Sequence, residues 1–521
     1  MRRAAAWLMA AYLGACSPSE APPGFLRYNE PEGIRSLDPV QAFKKAHIWA
    51  TRLWAETLFE VDSIGRPIPH LCSGYRWSPD RCTLRLGIRK HIFFHPDPAF
   101  GPDSTRPLGA SDVVFSLQRA AEHPASSWLF SAVRQNAEGS RWVRAEGDTV
   151  EIILRQPSAA FLLLLANPQV SIIPPEPLSY YGENWSRHPV GTGPFRFVAW
   201  YPEQLLIFLR NPRYWKKNQS YDSASIPQGV HIRFLRDRQA EIIQFLQGQL
   251  DFLVGNERAY SVFFLDPEGS LKQDLKIPVR LEKGPVLNTE YLGFNLEKDC
   301  LPCRSSSVRR FIAASIDRPH LVQYALEGLG IPADASLVPY SLRRHTVPFL
   351  STTPPPKPFQ LRLMTTAPYA LQGALLKEML GSKGVDLTLG LSDQATHKTA
   401  VANGEFEFFR ASWIADYPDP ENYYSLFYSA HRCPAGPNYS RFSHPLYDSL
   451  YVRLTTATTP LEKFTLMHRM DSILQNEMPV IPLYYDIQLR FLGPRVAYLP
   501  FDLSGNPDFS NALLKREILR K

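Results

Sequence analysis

Long runs of any one kind are missing from this sequence. No block of lysine and arginine stands out among its 57 basic and 50 acidic residues, and a formal net charge of +7 is modest for 521 residues. A nucleic-acid partner is therefore not expected. Beyond the first residues no apolar stretch approaches the roughly 20 needed to span a bilayer. Residues 159–166 are apolar but are cut by Asn167 and Pro168, which fits core better than membrane. The common catalytic signatures are missing too: no H-E-x-x-H, no G-x-S-x-G and no Walker A glycine loop. The 13 histidines are scattered and form no short ligand cluster. No catalytic residue, metal ligand or cofactor is expected. Gly191-Thr192-Gly193 lacks the third glycine of a dinucleotide fingerprint and runs straight into Pro194, so it predicts a tight turn into a strand over 195–200.

Cysteine is scarce, six in all. One is Cys16, at the end of Leu13-Gly14-Ala15-Cys16. Arg2 and Arg3 precede a short apolar run over 4–14, the pattern of a secretory signal. The four residues ending in Cys16 resemble the bacterial lipobox, whose cysteine is lipidated. Residues 1–15 are expected to be a lipoprotein signal peptide, with 16–24, polar and proline-rich, a tether. An exported chain meets an oxidising compartment, so disulfides are possible. A lone Cys300-Leu-Pro-Cys303 is weak support for redox or metal chemistry; a small loop staple and plain thiols both fit it. Cys72 and Cys82 are candidates to bridge a hairpin.

What is abundant is proline, 47 residues, which favours many connections over long helices. Hydrophobic residues make up 44% and charged residues 21%, ordinary for a globular protein. The length calls for two or three domains. Strands are expected at 26–29, 83–88 and 149–154, and a helix opening at Ser111-Asp112. From about residue 182 the pattern becomes mixed: a helix over 237–247 stopped by Gly248, a strand over 249–254, a helix through Val308, Phe311, Ile312 and Ile316, and a second restarted by Pro319. Strand, helix and strand follow at 361–365, 369–380 and 385–389. Thr459-Pro460-Leu461-Glu462 reads as a capping box whose helix turns Leu461, Phe464, Met467, Met470 and Ile473 to a core. Such alternation favours α/β lobes.

Many short stretches, in order over nearly the whole chain, resemble the peptide, dipeptide and nickel class of solute-binding proteins of ABC transporters. They are Ser36-Leu37-Asp38-Pro39; Glu56-Thr57-Leu58-Phe59 with Asp62, Gly65 and Pro69; Leu84-Arg85-Leu86; Phe94-His95; and Asp112 to Ser116. Pro189 to Phe195 with Arg210-Asn211-Pro212-Arg213-Tyr214-Trp215 is the most specific. Gly248 to Asp251, Val308-Arg309-Arg310, Asp317-Arg318 and Trp413 to Pro420 complete the set. Two features depart from the family pattern: a longer loop over 96–108 in place of a short turn after His95, and the Cys300–Cys303 pair.

The resemblance implies a two-lobe periplasmic-binding-protein fold (type II, cluster C) with a hinge and an extra N-terminal α+β subdomain. Residues 25–50, 182–284 and 487–521 would form lobe I, 51–181 the inserted subdomain and 285–486 lobe II. It implies a monomer anchored on the outer face of a membrane. Its lobes would close on a short peptide, to be delivered to permease subunits. A nickel chelate, opine or sugar, or an exported enzyme or adhesin on the same scaffold, are the alternatives. In peptide-binding relatives the aspartate at the place of Asp416 pairs with the ligand's α-ammonium, and the arginine at the place of Arg410 faces its carboxylate end. Trp413 would pack beside the ligand, and residues 411–415, with Ser412, Ile414 and Ala415, would bond its main chain as an added strand. Phe43, Lys44 and Lys45 correspond to the opposite wall, and Tyr485 and Asp419 are weaker candidates. Plainer readings stand beside these: Asp416 as a turn cap, Trp413 as a core indole, Arg410 as a structural arginine, Lys44 and Lys45 as a solvated pair.

Overall fold

The computed structural model describes residues 22–515, apart from 131, 134–141, 217–224, 256–257, 267, 276, 344, 356 and 458. The expected signal segment, Cys16 and the tether up to residue 21 lie outside the described residues.

Three larger sheets organise the chain. The first holds Phe25–Asn29, Gly229–Arg233, Leu205–Arg210 and Phe195–Tyr201 in that order, with only the first pair parallel. Leu26, Tyr28, Leu206, Phe208, Val230 and Ile232 line one face and pack on the helix Lys45–Trp54. The second sheet is four-stranded and antiparallel: Cys72–Trp77, Thr83–Ile88, Thr149–Ile153 and Val143–Glu146. In Thr83–Ile88 every second residue is buried, turning Leu84, Leu86 and Ile88 toward the helix Ala110–Glu122. Each such side chain contributes roughly 1.5–3 kcal/mol. That helix is capped by Gly109, not by Ser111 or Asp112; Asp112 sits in its first turn and its carboxylate accepts the Gly109 N–H at 2.8 Å.

The third sheet has seven strands. Phe359–Thr366 and Val385–Ser392 pair in parallel around the helix Ala370–Gly381, the strand–helix–strand expected from the sequence. Arg280–Phe294 and Val480–Leu492 pair antiparallel along almost their whole length. At one end Leu492 enters the core of the first sheet; at the other, Leu292, Phe294, Ile481 and Leu483 enter the core built on Phe359–Thr366. Between these ends the ladder shifts register, between Pro285 and Thr289 and again after Glu290. A broken ladder bends more readily than a regular one. The architecture is two α/β lobes joined by a hinge, with an extra α+β subdomain near the N-terminus.

A buried carboxylate ties that subdomain to the first lobe. Glu56 accepts from His70 Nε2 at 2.8 Å, Thr192 Oγ1 at 2.6 Å, Tyr214 Oη at 2.9 Å and Trp215 Nε1 at 3.0 Å. Gly191-Thr192-Gly193 is the predicted turn into Phe195–Tyr201, and a second reason for its glycines is visible. A Cβ on Gly191 would meet the Trp54 carbonyl oxygen at 2.3 Å, and one on Gly193 the Trp54 carbonyl carbon at 2.6 Å. Burial works against a charged His70, but its bonds to Glu56 and to Glu60 (2.9 Å) hold it up to about 9. Because this value lies above the unfolded one near 6.5, the stabilisation is complete below pH 6.5 and is lost as the pH rises through 9. Stability is expected to fall by up to about 3 kcal/mol over that window. Urea titrations at pH 6.5 and 9 measure the fall, and His70→Gln should flatten it.

Two expectations need correction. Cys72 and Cys82 are free, whereas Cys300 and Cys303 form a disulfide. Cys72 pairs with Ile88 at the open end of its hairpin while Cys82 lies at the turn, beside the Trp77–Leu84 pair. Strand geometry of about 3.3 Å per residue keeps them far beyond the roughly 7 Å a disulfide tolerates. In the helix Pro460–Glu477, capped by Thr459 as expected, Met470 is buried and Met467 and Ile473 pack against the core as expected, joined by Leu466 and Asp471, but its first turn is not covered. Leu461 is 75% and Phe464 45% exposed. Phe464 instead packs edge-on against His345 and His468.

Candidate functional site

The strand Phe408–Ile414 is positioned by its neighbours rather than by its own propensity. On one edge it pairs with Arg280–Phe294 from Phe408↔Phe294 to Ile414↔Asn288, and Ala415 N–H donates to Leu287 O at 2.8 Å. On its other edge it pairs with Phe359–Thr366 only at Phe408 and Phe409. Among the described residues no strand pairs with that edge at 411–414, which leaves a template for an added one. Leu287 lies in the register break of the hinge, so this edge ends where the lobes join.

Asp416 stands at the end of that edge and is exposed. Its carboxylate accepts one weak bond, from Asn422 Nδ2 at 3.4 Å. Burial by the surrounding protein raises its pKa above the ordinary aspartate range, with the Asn422 amide pulling the other way. Asn422 Oδ1 also accepts from Trp413 Nε1 at 2.9 Å, which fixes the indole half-buried on the same side. Two residues on, Pro418 abuts Gly65 of the N-terminal subdomain. The Asp-Tyr-Pro-Asp-Pro segment therefore touches both sides of the molecule.

Arg410 and Tyr485 are buried on strands of the seven-stranded sheet. Arg410 is 6% exposed, ion-paired with Glu290 and stacked 3.3 Å over the Tyr369 ring; His397 Nε2 bonds its carbonyl at 2.8 Å. The Tyr485 hydroxyl is shared among Arg343, Asp334 and the Ser336 carbonyl. Asp419 caps Glu421 N–H and pairs with Lys463 at 3.0 Å, a structural role. Ser412 is half-buried, Ile414 68% exposed and Ala415 buried.

The other candidates stand at the start of the helix Lys45–Trp54. Phe43, Lys44 and Lys45 are exposed just before and at its start. Lys45 donates to Val254 O at 3.3 Å and lies 4.5 Å over the Trp49 ring. It borders a cavity of about 200 Å³ that Glu30, Trp49, Arg238, Glu241 and Val254 also line. Burial holds the Glu30 carboxyl up to about 7, against the pull of Lys45. The helix Lys45–Trp54, the strands Arg280–Phe294 and Val480–Leu492, and the segment at Pro418 meet around one C-terminal turn. Asp502 pairs with Arg52, Asn506 accepts from Trp49 Nε1 at 3.1 Å, a Cβ on Gly505 would meet Gln488 and Val286 of the hinge strands, and Leu503 borders Gly65 beside Pro418.

Sequence reasoning missed Glu30, Asn422, Glu290 and Asp486. Glu30 follows a predicted strand by one residue, a usable signal. Asn422 bonds Trp413 and Asp416, nine and six residues before it, whereas Glu290 and Asp486 act through partners far along the chain. Among the described residues no three His, Cys, Asp or Glu side chains gather as metal ligands would, and no helix is long and apolar enough to cross a membrane.

The profile of the bacterial extracellular solute-binding proteins, family 5 Middle, matches residues 66–357, more than half of the chain. The chain belongs to this family. A similar curated protein is the probable deoxycholate-binding periplasmic protein YgiS of Escherichia coli, 26% identical, with 95% of this chain and 94% of that protein covered. Among solved structures, HbpA2 from Haemophilus parasuis superposes with a TM-score of 0.79 at 20% identity, over 94% of this chain and 100% of that one. DppA from Helicobacter pylori, in complex with the peptide STSA, gives a TM-score of 0.71 at 20% identity over 95% and 98%. At these identities the structural matches establish the fold.

Proposed function

We propose that this chain is the solute-capturing subunit of an ABC importer and that its ligand is a short peptide with a free α-ammonium group. The observation that carries the reading is the unpaired edge of residues 411–414 ending at the exposed, weakly bonded Asp416. An open strand edge bonds any peptide main chain without reading side chains. A carboxylate at its end gives the chain direction, since it stabilises a positive terminus. DppA, of like fold, is described in complex with a peptide.

In this reading Trp413 flanks the first residue, Ser412, Ile414 and Ala415 lie along the ligand, and Phe43, Lys44 and Lys45 close from the first lobe. The lobes divide within the paired strands at 284/285 and 486/487. The boundary with the inserted subdomain falls after Trp54, because Lys45–Trp54 packs as one helix on the first sheet. Closure is driven by contacts better made in the closed than in the open form. Lipidation of Cys16 would hold the receptor, as a monomer, at the outer face of the membrane beside its permease.

Isothermal calorimetry of the purified chain with short peptides and their N-acetylated forms tests the reading. Acetylation removes the cation, so affinity should fall at least about tenfold, or 1.4 kcal/mol. Equal affinities would remove Asp416 from the ligand and the reading with it.

A further inference from the structure

The parallel strands Phe25–Asn29 and Gly229–Arg233 point their carboxyl ends at the cavity of about 200 Å³ beside the helix Lys45–Trp54. In open α/β sheets this end of the strands is where ligands sit. The volume is below the roughly 300–1,000 Å³ of a whole small-molecule site, and suits a single side chain. Ala46 and Trp49 of the helix, with Phe252 and Val254 of the strand Phe252–Val254, give it apolar walls. Val254 ends that strand opposite Arg490, and Gly255 N–H donates to Leu489 O at 3.1 Å. From Arg490 it is three residues, about 10 Å of strand, to Ile487, where the long ladder breaks register. The cavity thus lies on the hinge side of the first sheet.

Glu30 is the unmatched charge of this cavity. It lines the cavity and is 5% exposed, yet among the described residues it enters no ion pair and accepts no side-chain hydrogen bond. The charges around it are committed elsewhere. Glu241 accepts from Asn29 at 2.9 Å, from Tyr260 at 2.6 Å and from Arg238 at 2.8 Å, so Arg238 has its carboxylate. Lys45 gives its ammonium to Val254 O and to the face of Trp49. Burial holds the Glu30 carboxyl up to about 7, against Lys45, the Glu32 N–H and Arg238. Three carboxylates, Glu30, Glu32 and Glu241, border the cavity with two cations, Lys45 and Arg238. A buried carboxylate without a partner favours its neutral form, and a cation beside it restores the charge. The cavity is one positive charge short.

Given the peptide reading, we infer that this cavity receives a basic side chain of the ligand, with its ammonium or guanidinium paired by Glu30 and its methylene stem against Trp49, Phe252 and Val254. Long basic side chains bury an apolar stem while the charged end finds a partner. An acidic side chain would meet Glu30 and Glu32 as like charges, which are strongly disfavoured at close range. An apolar one would fill the walls and leave the carboxylate buried and unpaired. A strand edge bonds the main chain of any peptide; Glu30 adds a choice among side chains.

Calorimetry on the full chain with alanine tripeptides carrying one lysine, norleucine or glutamate, at each position in turn, tests the assignment. Norleucine keeps the stem and lacks the ammonium. At pH 8 the lysine peptide should bind at least about tenfold more tightly than its norleucine counterpart at one position, the equivalent of about 1.4 kcal/mol, with glutamate weakest there. In Glu30→Gln, with thermal unfolding checked, that preference should collapse. In the unaltered protein it should shrink by up to about tenfold from pH 8 to pH 6, because below 7 the cation must first displace a proton from Glu30. Tyr28, Glu32, Lys45, Arg238 and Glu241, the other titratable or charged groups facing Glu30, are the same in both complexes, as is Asp416, so the ratio of the two affinities isolates this carboxylate. A preference that is untouched by the fall to pH 6, that survives Glu30→Gln, or that is absent at every position overturns this assignment alone. Binding of none of the peptides overturns the peptide reading, and the assignment with it.

Discussion

Asp416→Asn is expected to lower peptide affinity at least about a hundredfold while leaving the unfolding midpoint unchanged. The two halves of this result have separate causes. Asp416 is exposed and its carboxylate accepts from Asn422 at 3.4 Å, so the fold loses little when its charge is removed; such surface changes usually stay within about 0.5 kcal/mol. In the closed complex the same carboxylate would be the partner of an ammonium group sealed from water. Leaving a sealed charge unpaired costs about 3–5 kcal/mol, and each 1.4 kcal/mol is tenfold in affinity. Asp419→Asn makes the contrasting control. Asp419 caps Glu421 and pairs with Lys463, so its loss should be read in stability, with affinity changed far less. Calorimetry and thermal unfolding of the two variants give a crossed pattern. If Asp416→Asn binds peptides as well as the unaltered protein, the carboxylate is a turn cap and the ligand's positive end goes elsewhere.

The fold was legible where the pattern is local. The helix Arg238–Leu246, with Asp237 as its cap and Gly248 in the left-handed region after it, and the parallel pair around Ala370–Gly381 follow from periodicity and caps alone. The open edge and Asp416 were legible only as a resemblance, because a strand edge is left free by what its neighbours do. Arg410 shows why the rest was hidden. Its partner Glu290 is 120 residues away, and nothing near position 410 signals that the guanidinium is already engaged. Tyr485 meets Asp334 across 151 residues in the same way. Leu461 and Phe464 fail for another reason. A helical period says which residues share a face, but not where along the helix the cover begins: Leu461 and Phe464 in the first turns of Pro460–Glu477 are exposed, while Met470 further along the same face is buried. The most specific family segments, around Gly191 and Tyr214-Trp215, turn out to converge on Glu56 and hold the lobe together, so their prominence in sequence reflects construction of the cleft rather than contact with its guest.

That convergence carries the other large effect. Glu56→Ala is expected to destabilise the protein by about 3–5 kcal/mol, the scale for removing one partner of a buried charged pair. Glu56 is 6% exposed, and its two oxygens serve four donors from three distant segments: His70, Thr192, and Tyr214 with Trp215. Deleting the carboxylate leaves the Tyr214 and Thr192 hydroxyls and the Trp215 N–H unmet at once. It also strips His70 of the stronger of its bonds, so the imidazole titrates nearer its ordinary value. Glu56→Gln keeps the volume but turns one acceptor oxygen into a donor facing other donors, and should lose about half as much. Urea unfolding followed by tryptophan fluorescence is a direct readout, since Trp215 bonds Glu56 and Trp54 backs onto Gly191 and Gly193. In Glu56→Ala the loss of stability between pH 6.5 and 9 should also shrink, because Glu60 alone is left to hold the imidazole above its ordinary value. A Glu56→Ala protein within 1 kcal/mol of the original would mean that the junction is held by the apolar contacts of Leu58, Ile172 and Val190 instead. The glycines packed on Trp54 would then matter more to the cleft than the charge beneath them.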